Sequence, residues 1–152
     1  MKYWLLKSEP DVFSIDDLYD CKDRTEPWDG IRNYQARNFM RDEMKINDQC
    51  FFYHSNCKLP GIVGIMTVVS NAYPDKTQFD KKSKYFDPKS KPGKPTWINV
   101  DVKFKKKLNL VSLETMKNHS SLKDLLILRK GNRLSITPII KLHWDYIIKL
   151  SK

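Results

Sequence analysis

The chain has 152 residues, a length that suits one domain and leaves two independently folding halves short of core. With 40% hydrophobic, 30% charged and 12% aromatic residues, it does not read as a disordered chain, and no apolar run nears the roughly 20 residues of a membrane helix. The net charge is +10, carried unevenly: residues 1–75 sum to −3 and residues 76–152 to +13, which points to an anionic partner such as a phosphate backbone.

From the N-terminus, Tyr3-Trp4-Leu5-Leu6 reads as a buried first strand. The apolar stretch there is too short for a signal peptide, so a cytoplasmic location is expected, or a nuclear one in a eukaryote. Ser14 and Asp17 have capping-box spacing, which predicts a helix from Ser14 to about Tyr19. Asp16-Asp17 then reads as a pair of N-terminal helix acids. Pro27-Trp28-Asp29-Gly30 is turn chemistry around one large aromatic. Ala36, Phe39, Met40 and Met44 step at helical spacing, predicting a helix over 33–44.

Cys50-Phe51-Phe52-Tyr53 is a strand, and the apolar run Ile62 to Val69 is a central one. Gly61, just before that run, and Gly64 inside it mark close packing or a bulge. Pro74, Pro88, Pro92 and Pro95, set among lysines, predict a long surface loop over 74–95. Trp97 to Phe104 alternates, with Ile98, Val100, Val102 and Phe104 on one face and Trp97, Asn99, Asp101 and Lys103 on the other. Ser112 to about Asn118 reads as a helix and Leu134 to Ile136 as a short strand. Thr137 is expected to cap a final helix, with Pro138 in its first turn, running to about Leu150. The element order lacks regular strand–helix alternation, so the expected class is α+β on a small, mostly antiparallel barrel with flanking helices.

Three cysteines (Cys21, Cys50 and Cys57) at unrelated spacings do not form a disulfide framework and fit a reducing compartment. Cys50, His54 and Cys57 lack a fourth local ligand, so no metal site is expected. No nucleophile elbow, phosphate loop or metalloprotease helix occurs, and no cofactor is implied. Polar groups and aromatics instead gather at element ends, which is the inventory that a planar base needs: aromatic walls plus fixed donors and acceptors. Trp4 and Trp144 read as core, Trp28 as a ligand wall, and Trp97 fits either role. The Lys excess, 22 against 6 Arg, is open to two readings, a backbone-binding surface or a coding bias toward A and T.

The segments Tyr3–Pro10, Trp28–Phe39, Phe52–Cys57, Pro60–Gly64, Ala72–Asp75, Tyr85–Ser90 and Arg133–Ser135 resemble, in order, the EVE domain family. The resemblance implies a PUA-like small bent β-barrel over 1–152, related to the YTH domains that read N6-methyladenine. It also implies a module that recognises a modified base, such as 5-methylcytosine or 5-hydroxymethylcytosine, in DNA or RNA. Matched by motif, Ser8 and Glu9 end the first strand beside the pocket, and Trp28 and Asp29 form the turn whose Trp walls it. Asn33, Tyr53, His54, Ser55 and Asn56 fall in family segments near the pocket. Tyr73, Trp97, Arg133 and Ser135 follow from proximity to family motifs. The base is expected to stack on Trp28, opposite Tyr73 or Trp97, with Lys81, Lys82, Lys84, Lys105 and Lys106 on the nucleic-acid backbone. A monomer with no membrane association is expected. Two rival readings stand: an enzyme acting on a flipped base, with His54 near Glu9 as acid–base pair, and a module binding a free small molecule.

Overall fold

A computed structural model describes residues 1–152. Strand β1 (Tyr3–Ser8) pairs in parallel with β3 (Gln49–His54) and antiparallel with β8 (Ile136–Ile139). Flanked on both edges and covered on both faces, it has Trp4, Leu5 and Leu6 fully buried, which is why its sequence is a continuous apolar run. The six-stranded sheet continues through β4 (Gly61–Val68) and β7 (Asp101–Ser112) to β2 (Thr25–Pro27), in the order β2-β7-β4-β3-β1-β8. Every pairing but β1–β3 is antiparallel. A two-stranded ribbon, β5 (Tyr73–Pro74) with β6 (Ile98–Asn99), lies apart. Helices α1 (Ile15–Asp20), α2 (Tyr34–Asn38), α3 (Leu113–Lys117) and α4 (Lys141–Leu150) complete the expected α+β class.

Period-2 geometry gives the sheet two cores. Trp4, Leu6, Cys50 and Phe52 point to one, with Ile15, Leu18, Trp28, Met40 and Val102. Leu5, Phe51 and Tyr53 point to the other, with Ile62, Val111, Met116, Trp144 and Ile147. Trp144 stacks on Phe51 at 3.8 Å between ring centroids, and the buried Trp4 gives its indole N–H to Asp48 at 3.0 Å. Both are core residues, as expected. The sheet is strongly curled: β2 and β8 stand at opposite ends of the strand order, yet Glu26, Pro27 and Ser135 line one cavity. Register shifts at Phe52/Tyr53, Ile62/Gly64 and Ile65/Met66 supply bending points. A Cβ on Gly61 would collide with the Val111 carbonyl, and one on Gly64 would lie 2.7 Å from Ile15 Cδ1. The two glycines therefore serve close packing.

The capping box forms as expected: Asp17 N–H donates to Ser14 Oγ and Ser14 N–H to Asp17 Oδ2. The helix expected over 33–44 forms from Tyr34, but turns from α to π winding at Phe39–Glu43. Three expectations need correction. The alternating stretch from Trp97 breaks at Val100 into β6 and β7, and Trp97 and Asn99 are themselves buried, because the 73–97 segment covers that face. Strand β7 then runs on through the exposed Lys105-Lys106-Lys107 to Ser112, where its bulges disturb any simple alternation. Thr137-Pro138 does not start the last helix but lies in β8, an edge strand where a missing N–H is tolerated. Helix α4 begins at Lys141 without a side-chain cap.

The stretch 74–95 is also more than a surface loop. A 3-10 turn at Lys76–Phe79 buries Gln78, whose amide donates to the carbonyls of Asp75 (2.6 Å) and Trp97 (2.8 Å). Its Oε1 accepts from the Ser90 hydroxyl and the Trp97 N–H. Four buried groups thus depend on one side chain. Gln78→Ala should cost about 3 kcal/mol, since buried partners left unpaired lose their full desolvation compensation. Urea unfolding checks this through a lowered midpoint at unchanged slope.

Candidate functional site

At the seam of the curled sheet lies a cavity of about 420 Å³, inside the usual size range of small-ligand sites. The end of β1 supplies Lys7, Ser8 and Glu9, and the loop before α1 supplies Val12 and Phe13. The strand β2 and its turn supply Glu26 through Ile31, and Lys84, Tyr85 and Ser135 close it. The Ser8 hydroxyl donates to the Phe13 carbonyl at 2.6 Å, folding that loop over the strand end. Asn56 donates to Glu9 Oε1 at 2.6 Å, fixing one carboxylate oxygen.

Trp28 is only 6% exposed and meets Phe52 (5.3 Å, 88°) and Phe13 (6.3 Å, 78°) edge to face. It is a floor rather than an open stacking platform. The free wall is Tyr85. Arg32 Nε and Nη2 both donate to the Tyr85 carbonyl, at 3.1 and 2.8 Å. The Tyr85 ring lies against Gly30, where a Cβ would come within 2.7 Å of it. Gly30 also holds φ +78°, so it meets two demands that no other residue meets together.

Behind the turn sits Asp75, fully buried. It accepts from the Gly30 N–H (2.8 Å), the Thr77 N–H (2.8 Å), the Thr77 hydroxyl and Arg32 Nη1 (3.1 Å). Burial alone would raise its pKa, but these donors outweigh it and hold the carboxyl below the ordinary value. Asp29, at the cavity, moves the other way: partial desolvation, then the charges of Asp75 and Glu26, push it up. Burial also lowers the pKa of Lys7.

Of the residues assigned from sequence, Ser8, Glu9, Trp28, Asp29, Ser135 and Lys84 line the cavity. The others take different places. Asn33 caps α2 by accepting from the Ala36 N–H. Tyr53 points into the opposite core, as its parity with Phe51 requires. His54 accepts the Ile15 N–H on Nε2 at 3.1 Å, Ser55 gives its N–H to the Ser8 carbonyl, and Asn56 supports Glu9 from behind. Tyr73 donates to Asp101 at 2.5 Å, and Trp97 is buried with its indole N–H on Asp87 at 2.7 Å. Neither faces Trp28 across the cavity. Arg133 is exposed outside the lining, as are Lys81 and Lys82. Lys105 bonds Gln49, and Lys106 lines a separate groove with Lys107 and Lys152. Cys50 is sealed in the core. Lys7, Val12, Phe13, Glu26 and Tyr85 were missed as lining residues. Tyr85, heading the Tyr85–Ser90 motif, and Lys7, inside Tyr3–Pro10, carried a signal.

Residues 2–150 match the EVE domain family. The chain is 44% identical to mouse (Mus musculus) thymocyte nuclear protein 1 over 99% of its own length and 74% of that protein's. It is 41% identical to the Homo sapiens protein, with the same coverage. Among solved structures, it superposes on human THYN1 protein in complex with 5-methylcytosine containing DNA with TM-score 0.95. That match has 42% identity and covers 100% of this chain and 98% of the other. A protein of Pseudomonas syringae gives TM-score 0.94 and 45% identity, covering 99% of each chain.

Two outcomes follow from this geometry. Gly30→Ala should destabilise by about 2 kcal/mol from the left-handed backbone alone, and should displace the Tyr85 ring, seen as a changed tyrosine environment in near-ultraviolet circular dichroism. Burial first, then the Lys107 charge, lower the His54 pKa below its ordinary 6.5, against the opposing pull of Asp16 and Asp17. The unfolded chain therefore takes up the proton first, and the stability present above about 6.5 is lost as pH falls below it. His54→Gln, which keeps an acceptor for Ile15, should flatten that loss in urea midpoints taken at successive pH values.

Proposed function

The chain belongs to the EVE domain family, and we propose that it is a non-catalytic reader that takes one modified base of a nucleic acid into the cavity above Trp28. The observation that carries this reading is the convergence of aromatic walls and unpaired carboxylates in one cavity. It is reinforced by whole-chain superposition on a protein crystallised with 5-methylcytosine DNA. The base lies against Tyr85 and Phe13 over the edge of Trp28. Asp29, which joins no ion pair, and the free oxygen of Glu9 accept from an exocyclic amine. That chemistry suits cytosine or adenine and disfavours the O6 face of guanine. The relative's DNA favours a 5-methylcytosine-like base in DNA. Ser8 and Ser135 contribute polar edges.

Lys84 lines this pocket, Lys81 and Lys82 are exposed beside it in sequence, and Lys105 and Lys106 are exposed on β7 outside the lining. They supply sequence-independent attraction to phosphates. The unit is one EVE domain over 1–152, acting as a monomer without cofactor or metal, in the nucleus of a eukaryote or the cytoplasm of a bacterium. The rival enzyme reading loses its acid–base pair, because His54 does not line the cavity and spends Nε2 on α1.

Fluorescence polarisation at fixed salt, with matched DNA and RNA strands carrying 5-methylcytosine, 5-hydroxymethylcytosine, N6-methyladenine or no modification, tests the proposal. Trp28→Ala would also open the core, so Tyr85→Ala is the cleaner probe. It should remove about 1–3 kcal/mol of base-dependent affinity. Reversing Lys81 and Lys82 to Glu should weaken all strands alike and flatten the salt slope. Equal binding of every strand, unchanged by Tyr85→Ala, refutes the reader. Length-independent, salt-insensitive binding of a free nucleoside favours the small-molecule module.

A further inference from the structure

In a chain of net charge +10, the cavity carries three carboxylates against two lysines, Lys7 and Lys84. Glu9, Glu26 and Asp29 all line it, and none of them joins any of the ion pairs in the structure. Surface carboxylates so placed would repel the phosphates that the lysines attract, so their use must lie with the base. The aromatic wall carries the same preference. The Lys84 ammonium sits 5.0 Å from the Tyr85 ring centroid and the Arg32 guanidinium 5.5 Å from it. The chain's own cation therefore already occupies the aromatic wall at the cavity. Lys84 stands on a flexible stem that a bound group can displace. Desolvation first, then the charges of Asp75 and Glu26, raise the pKa of Asp29 against the pull of Arg32.

Resting on the reading of the cavity as a base pocket, we infer that it selects its base by charge. A base bearing a formal positive charge, such as N3-methylcytosine, binds in preference to its neutral isomer 5-methylcytosine, and a base bearing a carboxylate is rejected. All three present an aromatic ring to Tyr85. A planar cation gains in addition from the ring face and from the three carboxylates in a partly dehydrated site. A 5-carboxyl group instead meets like charges. The methyl group itself gains the same small apolar contribution on either atom.

The test uses one short strand synthesised with N3-methylcytosine, 5-methylcytosine or 5-carboxylcytosine at a single position, titrated by polarisation at one salt concentration and neutral pH. The strand's phosphates are common to all three. N3-methylcytosine should bind tightest, and 5-carboxylcytosine at least about ten-fold more weakly than 5-methylcytosine. The double variant Asp29→Asn, Glu26→Gln should narrow both gaps. An N3-methylcytosine strand no tighter than the 5-methylcytosine strand, or a 5-carboxylcytosine strand as tight, overturns the inference. Tyr85→Ala separates the two levels. If it weakens no strand, the base-pocket reading itself fails; if it weakens all three while they remain equal, only the selection by charge fails.

Discussion

A carboxylate taken fully out of water must be surrounded by donors, and Asp75 is such a group. Its partners are not drawn from one element. The Gly30 N–H comes from the turn after β2, Thr77 from the segment after β5, and Arg32 from the start of the α2 approach. Neutralising one buried charge therefore ties three stretches of chain to one point. Arg32 then carries the constraint outward, because the same guanidinium holds the Tyr85 carbonyl. The aromatic wall of the cavity is thus placed by a hydrogen-bonded guanidinium on its backbone as well as by the contact of its ring with Gly30. An ion pair in this position gives little net stability relative to apolar packing, but it gives a fixed geometry, and a recognition site needs that more.

The curl of the sheet is the second constraint. A flat sheet in this strand order would keep β2 and β8 at opposite edges. Bulges and the two β4 glycines bend it until residues flanking those strands share a cavity. Trp28 is where the two constraints meet. It fills the first core from below and floors the cavity from above, so fold and site share one side chain. A substitution there cannot be read as a binding effect alone.

What the sequence made legible was local. The capping box, the apolar first strand and the glycine pair in β4 are each specified by neighbours within a few residues, and each is found in place. The motif resemblance located Ser8, Glu9, Trp28, Asp29 and Ser135 at the cavity. What escaped was set by distant partners. Gln78 and Ser90 look like loop residues until their buried hydrogen bonds are seen. The lysine run 105–107 hides a strand because Lys106 and Lys107 pair with β4 while the side chains of the run stay exposed. Tyr53 is a different case: its parity with Phe51 in β3 already set it against Phe52, and simple alternation would have removed it from the pocket. His54 and Asn33 share a further pattern, since polar side chains at element ends serve helix caps as readily as ligands.

The place of β1, between β3 and the edge strand β8, also governs how the molecule comes together in time. Tyr3 pairs on one side with Gln49 and on the other with Ile139, so three adjacent strands at one end of the sheet join segments from the beginning, the first third and the end of the chain. Such non-local closure must be entropically prepaid before it is rewarded, and it makes for a slow, late-committing search. Until β8 docks, β1 presents an apolar strand with an open hydrogen-bonding edge, the kind of surface that recruits a neighbouring chain instead. A strand whose apolar centre is fully buried in the finished protein is thus exposed to misassembly on the way there.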